Sequence, residues 1–173
     1  VSKEDDLFFL KDFHNYSQKH EHLSFKYENE PKNLSLFLPP ELLSFSFDSD
    51  FYFMIRLMVW VHSNLIPGLE ITNIEPFNFI NILERTKKEK IESNCWMFAT
   101  VLNELFLCLG FKSKMVRCMP MDLRFGDCHC VTQAFSKQLG KWVLFDPSFG
   151  TYYTNDKEEP INLSEFRRMV VKE

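Results

Sequence analysis

Glycine is scarce in this chain, five residues in 173, and no segment is rich in glycine and serine. Flexible linkers, low-complexity disorder and fibrous repeats are thereby excluded. An excess of positive charge is also missing: 20 Lys and Arg stand against 24 Asp and Glu, a net charge of −4. A nucleic-acid interface needs a basic stripe, so nucleic acid is not expected as a partner. Long apolar runs are absent too. The longest, residues 51–61, is interrupted by Arg56 and is too short to cross a bilayer, so no membrane span is expected. No signal peptide is legible, although a chain opening on Val1 leaves room for an upstream segment. Cysteines are few and odd in number: Cys95, Cys108, Cys118, Cys128 and Cys130, all in the second half. That does not form the disulfide framework of a small secreted domain. A reducing, cytoplasmic location is expected.

What is present is apolar. Hydrophobic residues make up 45% of the chain, with 19 phenylalanines spread along it and no repeat. They read as core filling for one domain over residues 1–173, with a core at roughly 50–150 and a mainly helical, Phe-rich extension, 1–49, packed on it. Residues 7–20 read as a helix and 22–31 as a possible strand. Pro39-Pro40 breaks any helix there. Asp48 or Ser49 can cap a helix over "DFYFMIRLMVWVHSNL", with Phe51, Ile55, Met58 and Val59 or Leu65 on its inner face. "PGLE" is a turn, and Pro76 suits the first position of a helix ending in the solvated "RTKKEK". The tail from Tyr152 is polar, and Ser164 is a candidate cap for a last helix.

The chemistry gathers around "ESNCWMFATVLNELFLCLGF". Ser93 or Asn94 can cap this helix, Phe98, Val101, Leu102, Leu105 and Leu109 recur at helical spacing, and Gly110 ends it. Cys95 thus falls at a helix N-terminus, where free N–H groups and the dipole favour a thiolate. "KSKMVRCMP" reads as a strand, and "HCVTQAF" and "KWVLFDPS" as a hairpin through "SKQLG". With a loop from Ser136 to Leu139, His129 faces Asp146 directly, and both emerge on one sheet face. A base held by a carboxylate is what a catalytic cysteine needs. Trp142 and Leu144 are expected between helix and sheet. The fold class expected is α+β, one apolar helix across a small antiparallel sheet.

"NCWMFATVLNELFLCLGFKSKMVRC", "DCHCVTQAF" and "GKWVLFDPSFG" resemble the three core motifs of the transglutaminase-like superfamily, in its small bacterial type. The resemblance implies a papain-like core with Cys95 as nucleophile, His129 as base and acid, and Asp146 as orienter. Trp96 follows the cysteine as in the animal enzymes. The family often has tryptophan two residues and glutamate four residues after the histidine; here stand Val131 and Gln133. The chain has no room for the calcium loops and flanking β-domains of the cross-linking enzymes. The resemblance therefore implies a protease- or amidase-like cysteine hydrolase acting on a peptide or other amide through an acyl-thioester, with no cofactor. The Cys95 backbone N–H is a natural oxyanion donor. Trp60, Asn94 and His62 are candidates for a second donor, and Trp96 and Gln133 for the substrate side.

Other readings compete. "CHC" at Cys128 to Cys130 suggests zinc, but alternation in a strand sends the two thiols one way and His129 the other, so no metal site is expected. The bland reading packs Cys118, Cys128 and Cys130 on the face away from His129, and leaves His14, His20, His22 and His62 as surface or structural residues. An acyltransferase or transamidase would use the same triad, and a catalytically silent protein-binding module would keep only the fold. The sequence leaves the substrate and the oligomeric state open.

Overall fold

The computed structural model describes residues 38, 40–43, 49–69, 74–119 and 128–172. The helix expected over 7–20, the strand expected over 22–31 and the loop at 121–127 lie outside these residues. Pro40 opens a helical turn, α1 (Pro40–Leu43), rather than preventing one, because a proline fits the first helical position.

Helix α2 (Asp50–Asn64) is capped by Ser49, whose side chain accepts from the Tyr52 N–H. Its buried face is Met54, Leu57, Met58 and Val61; of the expected stripe Met58 and Leu65 are buried, Phe51 and Ile55 are partly buried and Val59 is exposed. Ten of the eleven residues 51–61 are apolar, so periodicity alone did not mark the inner side. Strand β1 (Ile66–Pro67) pairs in parallel with β2 (Glu92–Ser93), where only a turn and a loop were expected. Helix α3 (Phe79–Glu89) starts after Pro76 because Asn78 takes the cap, accepting from the Asn81 N–H at 3.0 Å. Lys90 ends it in the left-handed conformation, and its lysine-rich last turn is solvated.

Helix α4 (Cys95–Cys108) is capped by Asn94, which accepts from the Met97 N–H at 3.1 Å. It ends at Gly110, at φ 82°, a conformation that costs glycine little. The antiparallel sheet follows in the order β3 (Ser113–Cys118), β4 (His129–Ser136), β5 (Lys141–Asp146), β6 (Thr151–Tyr152). Phe98, Val101, Leu102, Leu105 and Phe106 of α4 meet Ala134, Val143 and Phe145 of the sheet, with α2 and α3 closing the other side. The architecture is α+β, with one apolar helix across a small antiparallel sheet.

Trp142 and Leu144 do not enter that interface. They alternate with Val143 and Phe145, and so lie on the opposite sheet face. There Trp142 stacks on Phe135. That face is bordered by α5 (Leu163–Lys172), whose Leu163 N–H donates to the Gln133 side-chain oxygen, while the Lys141–Glu165 ion pair fastens the helix at the hairpin end. Asn162, not Ser164, caps α5: its side chain accepts from the Glu165 N–H, and the Glu165 carboxylate accepts from the Asn162 N–H, a reciprocal capping box.

Asp50 ties α2 to the hairpin. It accepts from the Ser136 hydroxyl and the Lys137 N–H, each at 2.6 Å. Ser136 is fully buried, so Asp50→Ala strands its hydroxyl proton. The expected cost is on the order of 2 kcal/mol, read from the midpoint of urea unfolding.

Candidate active site

His129 opens β4 and pairs across the sheet with Cys118. Asp146 closes β5. The hairpin pairs Ser136 with Lys141 and Thr132 with Phe145, so the loop begins at Lys137, one residue later than expected. The pairing therefore shifts by two positions. Asp146 sits diagonally to His129 rather than directly opposite. A shift of two preserves the face, and the carboxylate still reaches the ring: Asp146 Oδ2 lies 2.6 Å from His129 Nε2.

Asp146 is fully buried and richly bonded. Its Oδ1 accepts from the Ser148 hydroxyl at 2.6 Å, the Ser148 N–H at 3.2 Å and the Phe149 N–H at 3.4 Å. Its Oδ2 is shared between His129 and the Tyr153 hydroxyl, the latter at 3.4 Å. Burial, reinforced by Asp146, pushes the Tyr153 phenol up, which keeps it a donor. A carboxylate on Nε2 places the proton there and leaves Nδ1 as the acceptor. Among the described residues Nδ1 has no hydrogen-bond partner. The ring is about one-third exposed and has Phe149 against it, centroids 5.7 Å apart.

Cys95 is the first residue of α4 and half-buried. Its thiol donates to the carbonyl of Cys128, the residue before His129, at 3.7 Å. The Cys95 sulfur was expected within hydrogen-bond reach of a His129 ring nitrogen, or slightly beyond it; no thiol–imidazole hydrogen bond is present among the described residues. The reason is local. Thr132 and Ala134 face α4, Thr132 through a 3.1 Å bond to the Ala99 carbonyl, so His129 emerges on the other face. Cys95 meets the strand at its end, where the Cys128 carbonyl is nearest. The thiol of Cys118, which pairs with His129, is pushed up by burial and then by Asp146 and Cys95, so all three lie about one sheet end.

Three of the other thiols are poor nucleophiles. Burial pushes Cys108 up to about 11, with Glu104 adding, and Cys130 up to about 12, with Cys95 adding. Cys130 packs toward α4, while Cys118 is exposed on the His129 face, so the three thiols expected together are split. Raised values keep Cys108, Cys118 and Cys130 protonated through neutral pH. Iodoacetamide at about pH 8 is expected to modify Cys95 before these three, as read by peptide mass mapping.

The remaining candidates are placed as follows. The Asn94 side-chain oxygen is occupied by its capping bond, which leaves only its amide hydrogens to donate. Trp96 is half-exposed against Phe77, centroids 4.7 Å apart. Trp60 borders a groove of about 780 Å³ between the ends of α2 and α3, with Leu65, Leu83 and Lys87. Gln133 is buried, and its side-chain oxygen accepts the Leu163 N–H at 3.0 Å, so it anchors α5. His62 Nδ1–H donates to the Pro147 carbonyl at 3.1 Å and steadies the turn after Asp146. Gly150 is required beside it, because a Cβ there would come within 2.9 Å of the His62 ring. Ser148, Tyr153 and Arg117 were missed in the sequence; only Asp-Pro-Ser carried a signal, that of a side-chain-capped turn. Among the described residues no group of three or more His, Cys, Asp or Glu side chains is arranged to hold a metal, and no helix is long and apolar enough to cross a membrane.

No family model and no curated protein matches this chain. One solved structure does, a proposed cysteine protease from Cytophaga hutchinsonii, at 18% identity and a TM-score of 0.46. The match covers 60% of this chain and 33% of that one, so this chain spans about a third of that protein's length. A likeness that distant transfers no residue role.

Proposed function

We propose that the protein is a cysteine hydrolase of amide bonds, of protease or amidase type, with Cys95 as nucleophile, His129 as acid and base, and Asp146 as orienter. The observation that carries the reading is the buried Asp146 carboxylate, 2.6 Å from His129 Nε2, at the strand end whose Cys128 carbonyl holds the thiol of the helix-start Cys95. The resemblance of three sequence stretches to the core motifs of the transglutaminase-like superfamily supports it.

In this mechanism Cys95 Sγ leaves the Cys128 carbonyl by rotation about its side chain and gives its proton to His129 Nδ1. The thiolate attacks the amide carbon, and an S–C bond forms as the carbonyl π pair moves to oxygen. The Cys95 N–H, first in α4 and without an intrahelical partner, donates to that oxyanion. His129 protonates the leaving amine as the C–N bond breaks, leaving a thioester. The same nitrogen then takes a proton from water, whose oxygen displaces the sulfur and releases the acid. Asp146 holds the ring and its proton on Nε2 throughout.

A panel of fluorogenic peptide amides tests this. Turnover in the wild type that vanishes in Cys95→Ala is the expected result. Turnover that persists in Cys95→Ala overturns the reading, and turnover that requires an added amine replaces hydrolysis with transfer.

A further inference from the structure

Arg117 lies on the penultimate position of β3, an edge strand in the described sheet. Ser113 and Met115, four and two residues before it, both reach α4: Ser113 through Asn103 at 2.8 Å and Met115 through Thr100 at 3.7 Å. Alternation puts Arg117 on that same face, at the end where α4 begins. It pairs across the sheet with Cys130, and its Nε–H donates to Cys128 Sγ at 3.3 Å. The Cys128 carbonyl in turn holds the Cys95 thiol. One residue thus bridges the guanidinium and the nucleophile. Arg117 is pushed up first by its bond to Cys128, and further by Cys130 and Cys95, which sets its charge within electrostatic reach of the Cys95 sulfur.

The side chain is exposed, and its two terminal nitrogens have no partner among the described residues. Among the described residues no carboxylate pairs with this arginine, which stands beside the candidate nucleophile in a chain with more acids than bases. Its fork geometry matches a planar carboxylate through two parallel N–H bonds. We infer that Arg117 is a specificity residue that binds a carboxylate carried by the substrate next to the bond attacked by Cys95. This rests on the hydrolase reading above and names its substrate class: amides flanked by an acidic side chain or a chain-terminal carboxylate. Arg117 makes no bond to the reacting atoms, and the Cys128 contact fixes only its stem.

Two alkylating agents separate the claims without a known substrate. Both form an S–C bond at Cys95 with loss of iodide, and only iodoacetate carries a carboxylate. The ratio of iodoacetate to iodoacetamide rates at Cys95, mapped by mass spectrometry at low ionic strength, is expected to fall about fivefold in Arg117→Gln, the scale of one exposed ion pair. The iodoacetamide rate, which carries only the loss of a positive charge near the thiolate, is expected to fall less than the iodoacetate rate. An unchanged ratio overturns the inference while leaving the nucleophile intact. An equal loss with both reagents also overturns it, by making Arg117 a support for the thiolate alone. A Cys95 inert to both reagents in the wild type sinks the hydrolase reading instead. With peptide amides, wild-type preference for Glu over Gln beside the scissile bond assigns the side-chain source. Preference for a free over an amidated chain end assigns the terminal one, and no preference of either kind overturns the inference.

Discussion

Asp146→Asn is expected to lower kcat/KM for amide turnover by about four orders of magnitude with the fold kept. The size follows from which oxygen becomes nitrogen. Oδ1 accepts from Ser148 Oγ–H, Ser148 N–H and Phe149 N–H, donors that all require an acceptor. An asparagine must therefore keep its oxygen there and turn its amide toward His129. Nε2 would then face a donor and lose its proton, which moves to Nδ1. A ring protonated at Nδ1 cannot take the thiol proton, so the variant is blocked by tautomer and not by missing contacts. Cys95→Ala and His129→Ala should abolish turnover outright. Steady-state kinetics beside circular dichroism checks all three. An Asp146→Asn enzyme of wild-type activity would show that the His129–Asp146 bond is structural only.

Leu105→Ala should cost about 2–5 kcal/mol in unfolding free energy. Leu105 is fully buried on α4, in the layer that meets Phe106 of its own helix, Val143 and Phe145 of the sheet, and Met54 and Leu57 of α2. Truncation opens a cavity among large side chains held from both sides, so little collapse can fill it. Urea denaturation followed by fluorescence gives the value, with an unchanged slope showing that the denatured state is unaltered. A loss below about 1 kcal/mol would mean that this interface is loosely packed.

The site elements were easier to read than the packing around them, for physical reasons. Cys95 at a helix start was legible because Asn94 is a strong cap and Gly110 a strong stop. The partnership of His129 and Asp146 was legible because the side-chain period of two survives an error of two in register, although the loop was misplaced by one residue. The inner face of α2 was not legible, since a helix apolar nearly all round shows no stripe. "WVLF" likewise gives no alternation, because Val143, Leu144 and Phe145 are all buried, on two different sheet faces. Gln133 read as a substrate contact because α5, whose first N–H it satisfies, begins 30 residues later. The thiol's turn to the Cys128 carbonyl depends on how a helix end meets a strand end, which no local pattern encodes.

In the proposed mechanism His129 governs the thiol of Cys95. The most direct test is the pH profile of Cys95 alkylation by iodoacetamide, in the wild type and in His129→Ala. An imidazole that can take the thiol proton allows a thiolate–imidazolium pair, which reacts below the range of an ordinary thiol. The wild type is therefore predicted to react at about pH 6 at least ten times faster than His129→Ala, roughly the scale of a positioned base. Superimposable profiles for the two proteins would contradict the account.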